Sequence, residues 1–141
     1  MRWNVSSETL RLEKIARLNR LSALNDKEVR LLVERGSHLT APAGQRLTEE
    51  GAEPNGAYLI VDGEVTVKRG GDEISRLGPG ELVGEIALLN WARKQTATVE
   101  AATDIEVLRF DNDELEVLYR KLPHFKQAVD DSAFHRLDSD K

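Results

Sequence analysis

Residues 77–99 read LGPGELVGEIALLNWARKQTATV, and this stretch combines several glycines with glutamates and a short apolar run. Glycines beside the start of a short helix allow a backbone to approach an anion closely with free N–H groups. Glu85 stands at the start of the apolar run and adds a carboxylate, which accepts hydrogen bonds from hydroxyls. We therefore interpret the stretch as the edge of a binding site for a ligand that carries an anionic group and hydroxyls.

The composition is that of one folded domain. A length of 141 residues is enough for a domain with a sizeable core. Apolar residues make up 40% of the chain and charged residues 32%, which separates it from disordered sequences. The net charge is −5 and no basic run exceeds two residues, so a nucleic-acid partner is not expected.

What the sequence lacks disfavours several further classes of protein. Without cysteine the chain has no disulfide and no thiolate metal site, and nothing indicates an oxidising compartment. No apolar run reaches transmembrane length, and the residues after Met1 do not resemble a signal peptide. We expect a cytoplasmic single domain, or a piece of a larger chain, with no membrane segment.

The pattern along the chain changes from helical to strand-like. Helical spacing covers residues 7–21, and a second helix begins at Asn25, whose capping box with Glu28 is followed by a C-terminal cap at Gly36. Strand-like runs then alternate with turn formers, at residues 37–41, 46–49, 57–61, 64–68, 73–77, 97–100 and 104–110. A tight hairpin is predicted at Gly70-Gly71, because its turn needs positive φ.

The helical period returns near the C-terminus. Asp111 and Glu114 form a second capping-box pair, and Pro123 predicts a break before a further amphipathic segment. Many short strands with regular turns indicate an antiparallel sandwich or barrel. The pattern predicts one domain with N-terminal helices at 1–36, a β-barrel of about eight strands at 37–110 and C-terminal helices at 111–141.

The glycine-rich stretch resembles the phosphate-binding cassette of cyclic nucleotide-binding domains, through L-G-P-G-x-x-x-G-E-x-A-L-L at 77–89 and T-A-T-V at 96–99. The resemblance extends to APAGQRLTEEG at 41–51 and AYLIVDGEV at 57–65, and covers most of the chain. It implies a mainly β fold, an eight-stranded antiparallel jelly-roll barrel (double-stranded β-helix) with flanking α-helices and the cassette at 78–99. It also implies a regulatory domain that binds a cyclic nucleotide (cAMP or cGMP type), with no other cofactor, and relays binding through its C-terminal helix.

The resemblance implies a ligand-binding set, namely Gly84, Glu85, Ile86, Ala87, Gln95, Thr96 and Ala97. In this set Glu85 accepts the ribose 2′-hydroxyl. The backbone amides of Gly84, Ile86 and Ala87 approach the cyclic phosphate. Thr96 contacts the phosphate or the base, and the residue after it adds a backbone amide.

Gln95 occupies the position that carries the phosphate-pairing arginine in this family. Glutamine donates a hydrogen bond but supplies no charge, whereas arginine presents a planar, charged fork to a phosphate. Loss of a bidentate charged pair weakens binding by roughly ten- to several-hundred-fold. Arg93 and Lys94 lie directly upstream, and they either reach inward as phosphate contacts or remain solvated loop charges.

Gln95 also keeps a second function open. On that alternative the chain is a degenerate domain that binds no cyclic nucleotide and serves as a protein-interaction or structural module. A DNA-binding regulator of this family would carry a helix-turn-helix after the barrel, which the residues up to 141 do not predict. The expected protein partners are an effector domain or a second copy of the chain, contacted through the C-terminal helix.

Catalysis is not expected, because the chain has no His-x-His strand pattern, no Walker loop and no nucleophile elbow. The three histidines lie in different predicted elements, so no metal site is expected.

Trp91 either stacks on a base or makes packing contacts. Phe125, Val129 and Phe134 either form an apolar lid over a purine or belong to the core or to an oligomer contact.

Overall fold

The structure is a computed structural model of the 141-residue chain. It describes residues 3–5, 15, 18, 24–84 and 94–139, and for residues 132–139 it describes the helical backbone alone. Apart from Ile15 and Leu18, the predicted helix over residues 7–21 lies outside the described residues. So do five residues named above, which are Glu85, Ile86, Ala87, Trp91 and Arg93.

The described residues form nine strands and three helices. The strands are Asn4–Val5 (β1), Ser37–Ala41 (β2), Arg46–Thr48 (β3), Ala57–Asp62 (β4), Val65–Arg69 (β5), Asp72–Leu77 (β6), Leu82–Val83 (β7), Thr98–Ala101 (β8) and Ile105–Phe110 (β9). The helices are Asp26–Arg35 (α1), Asn112–Lys121 (α2) and Pro123–Ser139 (α3). In the part of the chain that the structure describes, no helix is both long enough and apolar enough to cross a bilayer.

The strands make two sheets whose inner faces pack together. One sheet has the order β1-β2-β9-β4-β7 and the other has the order β3-β8-β5-β6. Every strand pair in them is antiparallel. Strands β2 to β6, β8 and β9 correspond to the seven strand-like runs of the sequence, β7 is an eighth strand, and β1 extends the edge of the first sheet. The predicted mainly β, jelly-roll fold with flanking helices is confirmed.

Strand β4 is buried on both faces, because different layers cover its two sides. Successive side chains of a strand point to opposite faces. Tyr58 and Ile60 therefore pack between the two sheets, whereas Ala57, Leu59 and Val61 pack against the helices.

The two faces of β4 pack into the two cores of the domain, an inter-sheet cluster and a helix-side cluster. The inter-sheet cluster contains Ala41, Leu47, Tyr58, Ile60, Val65, Val67, Val83, Ala97, Val99, Ala101, Ile105 and Val107. The helix-side cluster contains Ala57, Leu59, Val61, Leu82, Leu108 and Phe110 from the first sheet. Its other members are Ile15, Leu18, Leu24, Val29, Leu32, Leu115, Leu118, Leu122, Phe125, Ala128 and Val129.

Helix α1 begins and ends as its sequence predicts. The N–H of Glu28 donates to Asn25 Oδ1 at 2.9 Å, and the N–H of Asn25 donates to Glu28 Oε1 at 3.2 Å, which closes the capping box. The N–H of Gly36 donates to the carbonyl of Leu32 at 2.9 Å and caps the other end. Both predicted caps are confirmed.

The break between the last two helices also follows the sequence. Asp111 Oδ1 accepts the N–H of Glu114 at 2.9 Å and caps α2. This helix ends at Lys121, and α3 begins at Pro123. Proline suits the first position of a helix because its φ is already helical and no partner is needed for its nitrogen.

Two strands are not predicted by the sequence pattern, and each contains two residues. An alternation cannot be recognised over so short a run. Strand β7 exists because Leu82 and Val83 pair with Leu59 and Tyr58 of β4.

The predicted Gly70-Gly71 hairpin is confirmed, with φ values of +60° and +87° between β5 and β6.

Glu28 joins the first described helix to the last. Its side chain is 7% exposed, and its Oε1 lies 2.8 Å from Nδ1 of His124. Burial raises the pKa of this carboxyl, but hydrogen bonds from His124 and from the N–H of Asn25, together with the attraction of His124, outweigh burial and hold the pKa below 4.5. The lowered pKa means that the carboxylate stabilises the fold above its unfolded-state pKa. This stabilisation is lost as the pH falls through the folded-state pKa.

We expect Glu28→Gln to lower the free energy of unfolding at neutral pH by about 1 kcal/mol. Glutamine retains the capping bond but loses the charge beside His124, whose own half-exposed side chain limits the effect through solvent screening. Urea unfolding across the acid range measures the change, with Glu53→Gln at an exposed position as the control. Wild-type stability should fall more steeply than that of Glu28→Gln as the carboxyl protonates. Parallel pH profiles for the two proteins would contradict this role of Glu28.

Candidate functional site

Two backbone segments touch inside the cassette, directly after β7. Gly84 follows β7 with φ of +95°, a conformation that residues with a side chain disfavour. A Cβ on Gly84 would lie 2.7 Å from the carbonyl oxygen of Gly56 and 3.5 Å from Cα of Ala57. Only glycine therefore allows the cassette to start against the segment that leads into β4.

Gln95 brings the other end of the cassette to the same place. Its N–H donates to the carbonyl of Ala52 and its carbonyl accepts the N–H of Gly51, both at 2.8 Å. The residue is 6% exposed, and its Nε2 lies 3.7 Å from the position that a Cβ on Gly84 would take. The structure thus brings together two of the predicted site residues, Gly84 and Gln95.

The amide nitrogen of Gln95 is buried and has no hydrogen-bond partner among the described residues. A buried donor without a partner costs about 1–3 kcal/mol, and folded proteins contain few of them. An acceptor oxygen placed in the cassette would satisfy this donor. A glutamine side chain can donate to such an acceptor, although it brings no charge.

The residues that follow Gln95 are held from both sides. The carbonyl of Ala97 accepts a hydrogen bond from Thr48 Oγ1 at 2.9 Å, and the carbonyl of Thr96 accepts one from Arg69 Nε at 3.1 Å. Thr48 lies on β3 and Arg69 lies on β5, the two neighbours of β8 in its sheet. The chain leaving the cassette therefore has a fixed position, with Ala97 buried and Thr96 partly exposed.

The space next to the site is apolar. Val83 and Ala97, two residues of the cassette, both belong to the inter-sheet cluster. Trp3 stacks on Tyr58 with ring centroids 5.5 Å apart and ring planes 10° apart, and the Arg109 guanidinium lies 5.9 Å from the Tyr58 ring centroid. An apolar environment strengthens the hydrogen bonds and charge interactions that are made in it.

The other predicted residues have different environments. Lys94 is exposed, whereas Arg93 lies outside the described residues. Phe125 and Val129 are fully buried in the helix-side cluster, so they are core residues and not a lid over the inter-sheet space. The side chain of Phe134 lies outside the described residues.

The histidines make separate contacts. His38 Nε2 lies 2.5 Å from Glu106 Oε2, and His124 contacts Glu28 as described above. His135 lies in the segment of which only the backbone is described. Among the side chains that the structure describes, no group of three or more His, Cys, Asp or Glu residues could hold a metal ion.

Arg69 is a residue of this site that sequence reasoning missed. The run VTVKR at 65–69 predicts a strand, and its alternation places residue 69 on the same face as Val65 and Val67. No sequence signal indicates Thr96 as its partner, because the contact joins residues 27 positions apart. The pairing of β5 with β8 is what brings them together.

Known proteins match this chain in sequence and in structure. The sequence profile described as "Cyclic nucleotide-binding domain" matches residues 38–121. The Cyclic AMP receptor protein of Thermus thermophilus is 32% identical over 105 residues, which cover 71% of this chain and 48% of that protein. The cGMP-dependent protein kinase egl-4 of Caenorhabditis briggsae is 28% identical over 102 residues, which cover 72% of this chain and 14% of the kinase.

A solved structure shares the arrangement of the strands. It is a cyclic nucleotide-binding-like protein from Brucella abortus, with a TM-score of 0.60 at 26% identity, and the match covers 78% of this chain and 97% of that one. The present chain spans less than half the length of the two curated relatives named here.

Gly84→Ala should lower the free energy of unfolding by more than Gly71→Ala does. Both glycines have positive φ, but no atom lies within 4 Å of a Cβ placed on Gly71. Each variant therefore carries backbone strain of about 1–2 kcal/mol. Only Gly84→Ala adds overpacking against Gly56, of about 1–3 kcal/mol. Urea unfolding of the three proteins measures the difference, and equal losses would contradict the close approach.

Proposed function

Because the chain belongs to the cyclic nucleotide-binding domain family, we propose that it is a ligand-sensing regulatory domain that binds a cyclic nucleotide of the cAMP or cGMP type. The whole chain serves as one domain, with the cassette at residues 78–99 as its ligand site. The contact residues are Gly84, Glu85, Ile86, Ala87, Gln95, Thr96 and Ala97.

The buried amide of Gln95 is the observation that carries this proposal. It lies beside Gly84 and has no hydrogen-bond partner among the described residues, at the position that the family resemblance assigns to the phosphate-pairing side chain. A phosphate oxygen is a strong acceptor and would remove the cost of the unpaired donor. The amide therefore favours an occupied cassette over an empty one.

The other roles rest on the family resemblance. Glu85 accepts the ribose 2′-hydroxyl, and the backbone amides from Gly84 to Ala87 approach the phosphate. The close approach of Gly84 to Gly56 supports this role, since it holds the start of these amides against a fixed strand. Thr96 and Ala97 complete the contacts from the other end of the cassette.

Binding is relayed to the C-terminal helix through β7, a strand within the cassette. Val83 of β7 belongs to the inter-sheet cluster, and Leu82 belongs to the helix-side cluster together with Phe125 of α3. A displacement at Gly84 is therefore transmitted to the packing under α3. The ligand shifts the equilibrium between two positions of this helix. The size of the shift is set by the difference in the ligand's binding free energy for the two corresponding positions of β7.

The domain binds its ligand without transforming it. The partner is an effector domain or a second copy of the chain, which reads the position of α3, and the protein acts in the cytoplasm. The relatives named above include a kinase and a receptor protein, so domains similar to this one occur in proteins of different kinds.

Isothermal titration calorimetry with cAMP and cGMP tests the proposal. We expect the natural protein to bind one of them and Glu85→Ala to lose that binding. Gln95→Arg should bind roughly ten- to several-hundred-fold more tightly, because it adds a charged fork to the phosphate contact. Gln45→Arg, which adds the same charge on the loop before β3, should leave the affinity unchanged.

Two results would contradict the proposal in different ways. No heat from the natural protein, with binding by Gln95→Arg, would show that the domain keeps its scaffold but has lost the ligand. It would then be the interaction or structural module of the alternative function. No binding by either protein would exclude cyclic nucleotides as the ligand.

Amide hydrogen exchange tests the relay separately. With ligand at saturation we expect altered protection in α3 and in β7, because both contact the helix-side cluster around Leu82. Strand β6, an exposed edge strand of the other sheet, should change little and serves as the internal control. Ligand binding with unchanged protection in α3 would contradict the relay.

A further inference from the structure

The loop between β3 and β4, residues 49–56, is bonded near its beginning to the cassette. The N–H of Gln95 donates to the carbonyl of Ala52, and the N–H of Gly51 donates to the carbonyl of Gln95, both at 2.8 Å. These bonds use both backbone polar groups of Gln95, one on each side of its Cα. The direction of the buried Gln95 side chain therefore depends on where this loop lies.

The same loop is bonded near its end to the start of α2. Nδ2 of Asn112, the first residue of α2, donates to the carbonyl of Pro54 at 3.1 Å. The guanidinium of Arg109, on β9, donates to the carbonyl of the next loop residue, Asn55. The loop thus extends from the cassette to α2, and side chains from β9 and α2 hold its end.

Backbone contacts at Gly56 leave little space for the end of the loop to move. A Cβ on Gly56 would lie 2.5 Å from the carbonyl oxygen of Phe110, two residues before Asn112. On the other side, the carbonyl oxygen of Gly56 is the atom that a Cβ on Gly84 would meet at 2.7 Å. Close-packed groups transmit a displacement to their neighbours. A movement of the cassette is therefore passed to the segment that enters α2.

Helix α2 does not itself require an asparagine at position 112. Asp111 caps the helix by accepting the N–H of Glu114, and asparagine is a weak helix former. Oδ1 of Asn112 is buried and has no hydrogen-bond partner among the described residues, which adds a cost. Within the described part of the chain, the side chain of Asn112 bonds to the loop and not to α2.

We propose that this loop couples the ligand site to α2, with Asn112 as the positioning residue that acts on Gln95 through the loop. This inference rests on the proposed function, because the ligand is the cyclic nucleotide bound in the cassette. The loop adds hydrogen bonds and backbone contacts to the apolar packing between β7 and α3. Coupling between two sites is reciprocal. A change at Asn112 therefore alters the affinity for the ligand, and the ligand alters the surroundings of Asn112.

Asn112→Asp tests the connection in the ligand-free protein. The substitution keeps the shape of the side chain and replaces its donor by an acceptor, while an acidic residue in the first turn favours the helix. We expect the backbone N–H groups of Gly51 and Gln95 to exchange with solvent roughly two- to tenfold faster, measured by NMR, because the loop has lost one hydrogen bond. The N–H of Ala101, bonded at the end of β8 away from Gln95, should exchange as in the natural protein.

Asp113→Asn is the matched control. It changes the charge of the same helical turn by one unit, but Asp113 is exposed and makes no hydrogen bond to the loop among the described residues. It should leave exchange at Gly51 and Gln95 unchanged. Asn112→Gln retains a donor and should recover part of the protection. Urea unfolding verifies that each variant retains the fold.

Titration with cAMP or cGMP, whichever the natural protein binds, tests the coupling to the ligand. The side-chain amide resonance of Asn112, which is identified by its absence from Asn112→Asp, should shift as the nucleotide binds. In calorimetry Asn112→Asp should bind roughly two- to tenfold more weakly, and Asp113→Asn should bind as the natural protein does. A role of Asn112 within α2 alone would change neither the resonance nor the affinity.

Three results would contradict the coupling, and they differ from one another. Unchanged exchange at Gly51 and Gln95 in Asn112→Asp would show that Asn112 does not hold the loop. If the natural protein binds its nucleotide, but Asn112→Asp binds equally well and the Asn112 resonance stays in place, the inference is wrong and the proposed function stands. If the natural protein binds neither nucleotide, the proposed function fails and the coupling to this ligand fails with it.

Discussion

The burial of β4 on both faces is the constraint on which the rest of the structure depends. Each buried apolar side chain stabilises the fold by about 1.5–3 kcal/mol only if a layer covers it. Tyr58 and Ile60 require the second sheet on one side, whereas Leu59 and Val61 require the helices on the other. The domain therefore has three layers, and β7, which pairs with β4, lies where they meet. Strand β7 lies within the cassette, which therefore contributes Leu82 to one core and Val83 to the other.

Two features of the cassette lie side by side, a close backbone contact at Gly84 and a buried polar group at Gln95. The absence of a Cβ at Gly84 lets two backbones touch, and the buried amide of Gln95 lies beside that contact with no partner in the part of the chain that the structure describes. A neutral donor in this place lowers the cost of an empty site relative to an arginine, because an unpaired buried charge is more expensive than an unpaired amide.

Much of the fold could be predicted because its signals are local. The capping box of Asn25 and Glu28, the proline at the start of α3 and the Gly70-Gly71 turn each depend on a few neighbouring residues. Strands β2 to β6, β8 and β9 lie in the strand-like runs that turn formers separate. Strand β7 was not predicted, because two residues are too few to show an alternation of apolar and polar positions. It is a strand only through its pairing with β4. At the site, the family resemblance selected Gly84 and Gln95, which the structure brings together, but Arg69 belongs to no motif of the sequence.

The sequence by itself determined where the chain turns, where its helices start and which faces of its strands are apolar, because those properties are set within a few residues. It also determined that position 95 carries an amide and not a guanidinium. Only the tertiary structure decided that this amide is buried beside Gly84 and that Arg69 reaches the carbonyl of Thr96. Those contacts join segments that are distant in the chain. Their distances depend on the register of β5 against β8 and on the packing of two sheets, which no local pattern encodes.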